Sequence, residues 1–491
     1  MDTTIKISDN DNVIVALQDL KKDEFISKFN LKLLSNVSFG HKIACENICK
    51  GDYIYKYGHV IGTAVRDIGK GEIVHTNNIV TNLSNTLEYT YSPNLNNTTT
   101  TKSCTFNGFK RKNGKVGIRN EIWIIPTVGC VNSVAVAIAN KASQNIKGSV
   151  QKVIAYTHPY GCSQMGEDQE NTRKIIANLA VHPNAGGVLL LGLGCENCGI
   201  ETIKPYLGDY DKSSLKFLIA QDVEDEIETA LEIVDELIEN ASKNKRTACD
   251  VSDLVIGLKC GGSDGLSGIT ANPTVGKFSD ILINHGGTSI LTEVPEMFGA
   301  ETILFNRCKD EETYAKAVNL INSFKNYFIS HNQVVYENPS PGNKAGGIST
   351  LEDKSLGCTQ KSGSCNVIDI LDYGQKVNQK GLNLLWAPGN DLVASTALSA
   401  SGAHIVLFTT GRGTPFASPV PTLKISSNSA LNAKKSNWID FNCGEMVDGT
   451  SLEVMGENLF NKVICVANGE LVKSEQNGYY DMAIFKTGIT L

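Results

Sequence analysis

Hydrophobic and polar positions follow two different rhythms along this chain. Up to about residue 84, short apolar runs are broken every few residues by glycine. DNVIVAL (11–17) reads as a strand, and the segment 41–75 carries Gly51, Gly58, Gly62, Gly69 and Gly71 between apolar pairs. That spacing predicts hairpins and meanders. KKDEFISKFNLKLLSN (21–36) fits a strand or a short helix equally. Residues 85–105 are rich in Asn and Thr and nearly free of aliphatic side chains. They bury too little apolar surface to offset their ordering entropy, and are expected to form a linker.

From residue 106 the rhythm changes. Apolar runs at 121–128, 152–158, 186–194, 215–220, 253–260, 288–294, 382–388 and 403–410 alternate with helix-like segments. In one of these, 223–245, Ile227, Leu231, Val234 and Ile238 recur at spacings of four, three and four, one face of a helix. Strands apolar on both faces and followed by helices predict parallel sheets with right-handed crossovers. The expected class is α/β: a small β-rich N-terminal domain (1–84), a linker (85–105) and a large catalytic region. That region divides provisionally at the Pro/Gly/Asn loop 338–347 into 106–340 and 341–491, although the loop would serve equally as an active-site loop inside one domain. In open parallel sheets the site lies outside the carboxyl ends of the strands.

Composition narrows the class of partner. The formal net charge of -7 argues against nucleic acid. No apolar run reaches the roughly 20 residues a spanning helix needs, and the polar, acidic N-terminus does not resemble a signal peptide. The expected location is cytoplasmic. There, the fourteen cysteines are expected to be free thiols.

Four strand candidates end in cysteine beside glycine: Cys130, Cys162, Cys195 and Cys260, the last followed by GGSDG. Glycine lets the backbone approach a ligand, and cysteine offers a thiolate to a metal. One such pair is ordinarily a small buried residue; four at one sheet edge would form a metal or substrate site. Cys195-x-x-Cys198 has no second pair, as a structural zinc site would need, and GLGCENCG has the wrong spacing for dinucleotide binding. Asp264, Glu293 and Glu296 are carboxylates near strand ends. Arg119, Lys344 and Arg412 lie beside glycine-rich turns, and an arginine there is suited to fork a carboxylate. His41 and His158 are candidate metal ligands or proton shuttles. Each of these side chains also has an ordinary reading as a surface charge, cap or packed histidine.

These segments together resemble one family. GHKIA (40–44) and YGHVIGTAV (57–65) are similar to a SAF domain, a β-clip module. GFKRKNGKVGIRNE (108–121), HPYGCSQ (158–164), HPNAGGVLLLGLGCE (182–196), CGGSDGLSGITANPTVG (260–276), TEVPE (292–296), SPGNKAGG (340–347) and TTGRGTP (409–415) resemble the catalytic part of altronate and galactarate dehydratases. The resemblance covers nearly the whole chain, and its length and small N-terminal domain favour the altronate branch. It implies dehydration of a hexonate or hexarate, with D-altronate giving 2-dehydro-3-deoxy-D-gluconate. It also implies dependence on Fe2+, with Mn2+ as a substitute. An iron–sulfur cluster held by three thiolates is an alternative.

The expected metal ligands are drawn from Cys130, Cys162, Cys195, Cys260, Glu293 and Glu296; the small domain is either a lid that contributes His41 or only an oligomerisation or packing module. Arg119, Arg412 and Asp264 are expected at the substrate, and Lys344 or His158 as the base. The expected partner is a small sugar acid, with no nucleic acid and no membrane, and self-association, if any, as a homodimer. Competing readings are a lyase on galactarate or another hydroxy acid, and a sugar-acid binding protein without activity.

Overall fold

The computed structural model describes residues 2–84, 86–96 and 103–488. Its N-terminal unit is built from short antiparallel strands, with Val13–Ala16 and Lys42–Ala44 central to one sheet and the hairpin Tyr53–Lys56/His59–Ala64 in another. The ambiguous segment 21–36 takes both expected forms. Phe25–Ile26 pairs with Leu31–Lys32 around a single 3-10 turn, Ser27–Phe29.

The expected linker does not run free of the fold. Its aliphatic poverty concealed two tyrosines that supply the buried surface. Tyr89 donates to Glu301 at 2.5 Å, and Tyr91 donates to the Cys308 carbonyl at 2.6 Å and stacks on Tyr314. Residues 97–102 of that segment lie outside the described residues.

Beyond it stand two parallel sheets. The first is four-stranded, in the order Val153–Ala155, Glu121–Pro126, Ala185–Gly192, Leu215–Ile219. The second has seven strands, ordered Val367–Leu371, Gly381–Leu385, Thr288–Leu291, Val255–Cys260, Ile405–Thr410, Thr422–Ser426, Phe441–Asn442. All eight anticipated strands are present. Val367–Leu371 and Thr422–Ser426, whose polar residues interrupt the apolar run, were not anticipated.

The sheets part between Ile219 and Val255, not near residue 340 as provisionally divided. The loop 338–347 lies inside the second unit, on the path from helix Glu311–Ser330 to helix Leu351–Thr359. The two units share apolar packing, since Trp123 and Ile125 of the first sheet belong to the same buried cluster as Ile290, Leu385 and Val406 of the second. No helix among the described residues is long and apolar enough to cross a membrane.

Strand order fixes where a ligand can enter. From Val255–Cys260 the chain moves to one side of the seven-stranded sheet, and it later returns to lay Ile405–Thr410 on the other side. The crevice between these two strands is a topological switch point, and its mouth is made by the turns after Cys260 and Thr410. The four-stranded sheet has its own switch point between Glu121–Pro126 and Ala185–Gly192.

Candidate active site

At the carboxyl end of Val255–Cys260, three elements bring together thiols, carboxylates and amines away from water. The strand supplies Lys259 and Cys260, which are 0% and 1% exposed. The neighbouring strand Thr288–Leu291 runs into Glu293 and Glu296. Glu293 takes a left-handed backbone at φ 69, a strained conformation for a non-glycine residue that a packed site can hold. Helix Leu351–Thr359 and the turn after it supply Lys354, Cys358 and Lys361. These three are spaced by four and three, so they share one helical face.

Cys260 Sγ lies 3.4 Å from Cys358 Sγ and 3.2 Å from Glu296 Oε2, and Cys358 Sγ lies 3.1 Å from the same oxygen. A tetrahedral ion with metal–sulfur and metal–oxygen distances of about 2.3 and 2.1 Å would hold its donors about 3.6–3.8 Å apart. The three atoms fall within about half an ångström of one face of that tetrahedron. Two thiols with one carboxylate suit a borderline divalent ion such as iron or zinc. Among the described residues this is the group of metal-binding donors gathered tightly enough for a single ion.

The surrounding charges balance. Lys354 Nζ donates to Glu296 Oε1 at 2.7 Å, Lys361 Nζ to Cys260 Sγ at 3.0 Å, and Lys259 to Glu293 and, at 2.9 Å, to Asp391. Glu293 Oε2 also accepts from the Cys260 backbone N–H at 2.9 Å. Burial opposes the charge on Glu296, yet Lys354, with Lys259 and Lys361 behind it, holds that carboxyl below the usual carboxylate range. Glu293 goes the other way, because its burial outweighs the pull of Lys259 and Lys361. Its hydrogen-bond contact with Cys260, together with burial, pushes the Cys358 thiol well up; a bound cation would reverse that.

A second ring of residues stands above this group, where the N-terminal unit meets the turns 263–265 and 344–347. Lys42 and Lys56 both pair with Asp353, at 2.8 and 2.9 Å, and Lys42 also donates to the Gly347 carbonyl. Gly40 packs against Gly265, where a Cβ would lie 2.0 Å from the Gly40 carbonyl oxygen. Only glycine permits that approach. His41 is half-buried there, its ring 5.2 Å from that of His75. Lys344 is half-buried on the short helix Pro341–Ala345, whose Asn343 accepts from Lys354 at 3.3 Å. Arg412 is exposed in the turn after Thr410, beside Gly262. The expected His41 and Arg412, on loops, and Lys344, on a short helix, thus lie at the mouth of the switch point.

Other expectations are corrected. The four Gly-Cys turns do not meet at one edge, because they belong to two sheets. Cys260 lies in the seven-stranded sheet, whereas Cys130, Cys162 and Cys195 are exposed at the end of the four-stranded one. Arg119 is 0% exposed and its fork is fully spent, on Glu475 and on the carbonyls of Ile118, Val466 and Glu470. It has no donor left for a substrate. His158 bonds the Pro126 carbonyl with one ring nitrogen and takes the Tyr160 N–H with the other. Burial lowers it to about 4, so it serves the fold as a neutral ring. Asp264 accepts from Leu266 N, Ser267 Oγ, Ser427 Oγ and Asn428 Nδ2, which shapes the GGSDG turn instead of presenting a carboxylate.

Lys259, Lys354, Cys358 and Lys361 were not anticipated. Their signal is the spacing of Lys354, Cys358 and Lys361 on one helical face.

Comparison with known proteins matches each unit in turn. Residues 2–82 match the altronate/galactarate dehydratase SAF domain. Residues 108–242 match the D-galactarate dehydratase/altronate hydrolase second domain, and 251–490 the D-galactarate/altronate dehydratase C-terminal domain. The altronate dehydratase of Bacillus subtilis is 51% identical, with 100% of both chains covered. That of Escherichia coli is 50% identical over 99% of each. The galactarate dehydratase (L-threo-forming) of Escherichia coli is 31% identical, covering 98% of this chain and 96% of its own. With all three units matched in order and similarity running end to end, the chain belongs to the altronate/galactarate dehydratase family.

Proposed function

We propose that the protein dehydrates D-altronate to 2-dehydro-3-deoxy-D-gluconate, with ferrous iron held by Cys260, Cys358 and Glu296. The substrate assignment is carried by the 50–51% identity to altronate dehydratases along the whole chain, against 31% to a galactarate dehydratase. The metal assignment is supported by the Cys–Glu–Cys donor set at the switch point. Manganese, as another divalent ion, is the expected substitute.

The reaction breaks the C2–H bond beside a carboxylate and the C3–O bond next to it. The enol that forms then tautomerises to the 2-keto acid, so the net loss is one water and no redox cofactor is needed. A bound divalent ion supplies Lewis acidity toward the substrate's oxygens. The chain's own part is to bind and to move protons. Arg412, exposed and glycine-flanked, offers a fork to the substrate carboxylate. Lys344 is the base for the C2 proton, and His41 a proton donor from the N-terminal unit, which closes the mouth above the buried group. Lys354, with Lys259 and Lys361 behind it, keeps Glu296 ionised, and Lys259 and Lys361 orient Glu293, without touching substrate.

The test is anaerobic turnover of D-altronate with added ferrous iron, reading 2-keto acid formation, with D-galactarate in parallel. Preference for altronate that a chelator abolishes supports the reading. Preference for galactarate moves the protein to the other branch, and no product from either returns the substrate question to other hydroxy acids.

A further inference from the structure

The switch point of the four-stranded sheet is built differently from the one that holds Cys260. Three turns converge on it, each with an exposed cysteine: Cys130 after Glu121–Pro126, Cys162 after Val153–Ala155, and Cys195 after Ala185–Gly192. Each pair of turns is pinned next to its cysteines. Gly129 N donates to the Tyr160 carbonyl at 2.9 Å, joining the first turn to the second. Cys198 N donates to the Gly161 carbonyl at 3.0 Å, and Ser163 N to Asn197 Oδ1 at 3.1 Å, joining the second to the third. Thr127 Oγ1 donates to Glu196 Oε1 at 2.6 Å and closes the triangle.

The backbone accepts strain to make these contacts. Gly161 sits at φ 100, where a Cβ would lie 2.0 Å from the Thr127 carbonyl oxygen, and Ser163, a non-glycine, sits at φ 55. The hydrophobic effect does not explain the arrangement, because all three thiols face water.

Two further groups have capacity left over beside these turns. Gln164 is 6% exposed; its carbonyl oxygen takes the Gly161 N–H and the Thr172 hydroxyl, while its buried Nε2 has no partner. Arg173 donates to the Asn197 carbonyl at 3.1 Å and has a buried Nε without a partner. An unspent amide and an unspent guanidinium N–H, anchored to the turns that carry the three cysteines, suit a ligand that carries negative charge and hydrogen-bond acceptors. The thiols do not all lie within 4.8 Å of one another, wider than one ion requires. Sulfide-bridged iron is larger, is bound by cysteine thiolates, is anionic with them, and accepts hydrogen bonds at its sulfurs.

We propose that Cys130, Cys162 and Cys195 hold an iron–sulfur cluster of the four-iron, four-sulfide type. One iron then has no protein thiolate and is open to an oxygen ligand. Glu196 is not that ligand, because its carboxylate is spent on Thr127 and on the N–H groups of Leu193 and Gly194. The site is separate from the Cys260 group and does not depend on the proposed reaction.

The test is anaerobic reconstitution of the full chain with ferrous iron and sulfide, followed by iron and acid-labile sulfide analysis and electron paramagnetic resonance of the reduced protein. The expected result is about four sulfides per chain, lost in each of Cys130→Ser, Cys162→Ser and Cys195→Ser and retained in Cys260→Ser. Cys465→Ser, at an exposed cysteine on another helix, controls for non-specific thiol loading. Circular dichroism of the three variants separates loss of ligand from loss of fold. A wild-type chain that takes up no sulfide, or takes up sulfide that folded variants at the three positions retain, overturns the proposal.

Discussion

Asp353 and Lys354 are consecutive residues that tie two parts of the molecule to one helix. Asp353 receives the ammonium groups of Lys42 and Lys56 from the N-terminal unit, at 2.8 and 2.9 Å, while Lys354 donates to Glu296 at 2.7 Å in the buried donor group. The same helix carries Cys358. The N-terminal unit is therefore fastened to the helix that carries part of the buried donor group.

Asp353→Asn is accordingly expected to do two things. It leaves two buried lysines without a countercharge, which costs about 3–5 kcal/mol. It also frees the helix, so turnover falls even in the fraction that stays folded. The unfolding midpoint and limited proteolysis check the first, with residues 2–82 released sooner than in the wild type. Steady-state turnover below the midpoint checks the second. A variant with lowered stability and unchanged turnover would show that the clamp is only structural.

Cys260→Ser and Cys358→Ser replace a soft donor with a hard, weakly acidic one. Each is expected to weaken ferrous binding and turnover on the order of a hundredfold or more, since outer-shell changes alone cost about 10–100-fold. Equilibrium iron binding under anaerobic conditions is the direct measurement. Serine is close in size to cysteine, so the fold should survive. Wild-type iron affinity in both variants would remove this group from metal binding.

Cys260 was legible in the sequence and Cys358 was not, for a physical reason. A strand followed by glycines in an α/β protein has its ligand end marked by the chain itself, and Cys260 sits at such an end. Cys358 lies inside a helix whose Glu352, Asp353 and Lys354 are all buried. A run of charged residues reads as a solvated face unless its partners are known: Lys42 and Lys56 on Asp353, the Thr81 hydroxyl on Glu352, and Glu296 on Lys354. The strands were readable because parallel sheets bury both faces of each strand and leave continuous apolar runs. Arg119 misled in the opposite sense. An arginine before a strand looks like a carboxylate clamp, and it is one, but its carboxylate is Glu475, distant in sequence. Each Gly-Cys turn does follow a strand, as its segment indicates, whereas their division between two sheets depends on strand order, which no single segment encodes.

The two arginines should respond differently to substitution. Arg119→Lys loses the fork that satisfies Glu475 and three carbonyls, so it is expected to lower stability while leaving KM for the hexonate unchanged at a temperature where the protein is folded. Arg412→Ala, at an exposed position, is expected to leave the unfolding midpoint alone. It should raise KM about 10–100-fold, the equivalent of a charge-assisted hydrogen bond worth about 1.5–3 kcal/mol. Paired melting curves and substrate titrations distinguish them. An unchanged KM in Arg412→Ala would take that residue out of substrate binding.

Glu121 gives a pH dependence with a definite sign. It opens a buried strand, is 3% exposed, and its Oε2 accepts from Trp123 Nε1 at 2.8 Å. Burial, with the neighbouring Glu475 charge, raises its carboxyl from 4.5 to about 7. Between those two values the folded chain keeps a proton that the unfolded chain has released. Unfolding then loses protons, so stability falls as pH rises through this window, by at most about 1.4 kcal/mol per pH unit and roughly 3 kcal/mol in all. Glu121→Gln has no proton to lose there, and its side-chain oxygen can still take the Trp123 N–H. The variant should therefore show a flatter dependence of stability between pH 5 and 7 than the wild type, and be the more stable of the two at about pH 7.5 and above. Denaturant unfolding of both proteins at pH 5, 6 and 7 measures the slopes. Parallel slopes would mean that Glu121 is ionised in the folded chain and that the strand carries a buried charge held by Trp123, Arg119 and Lys152.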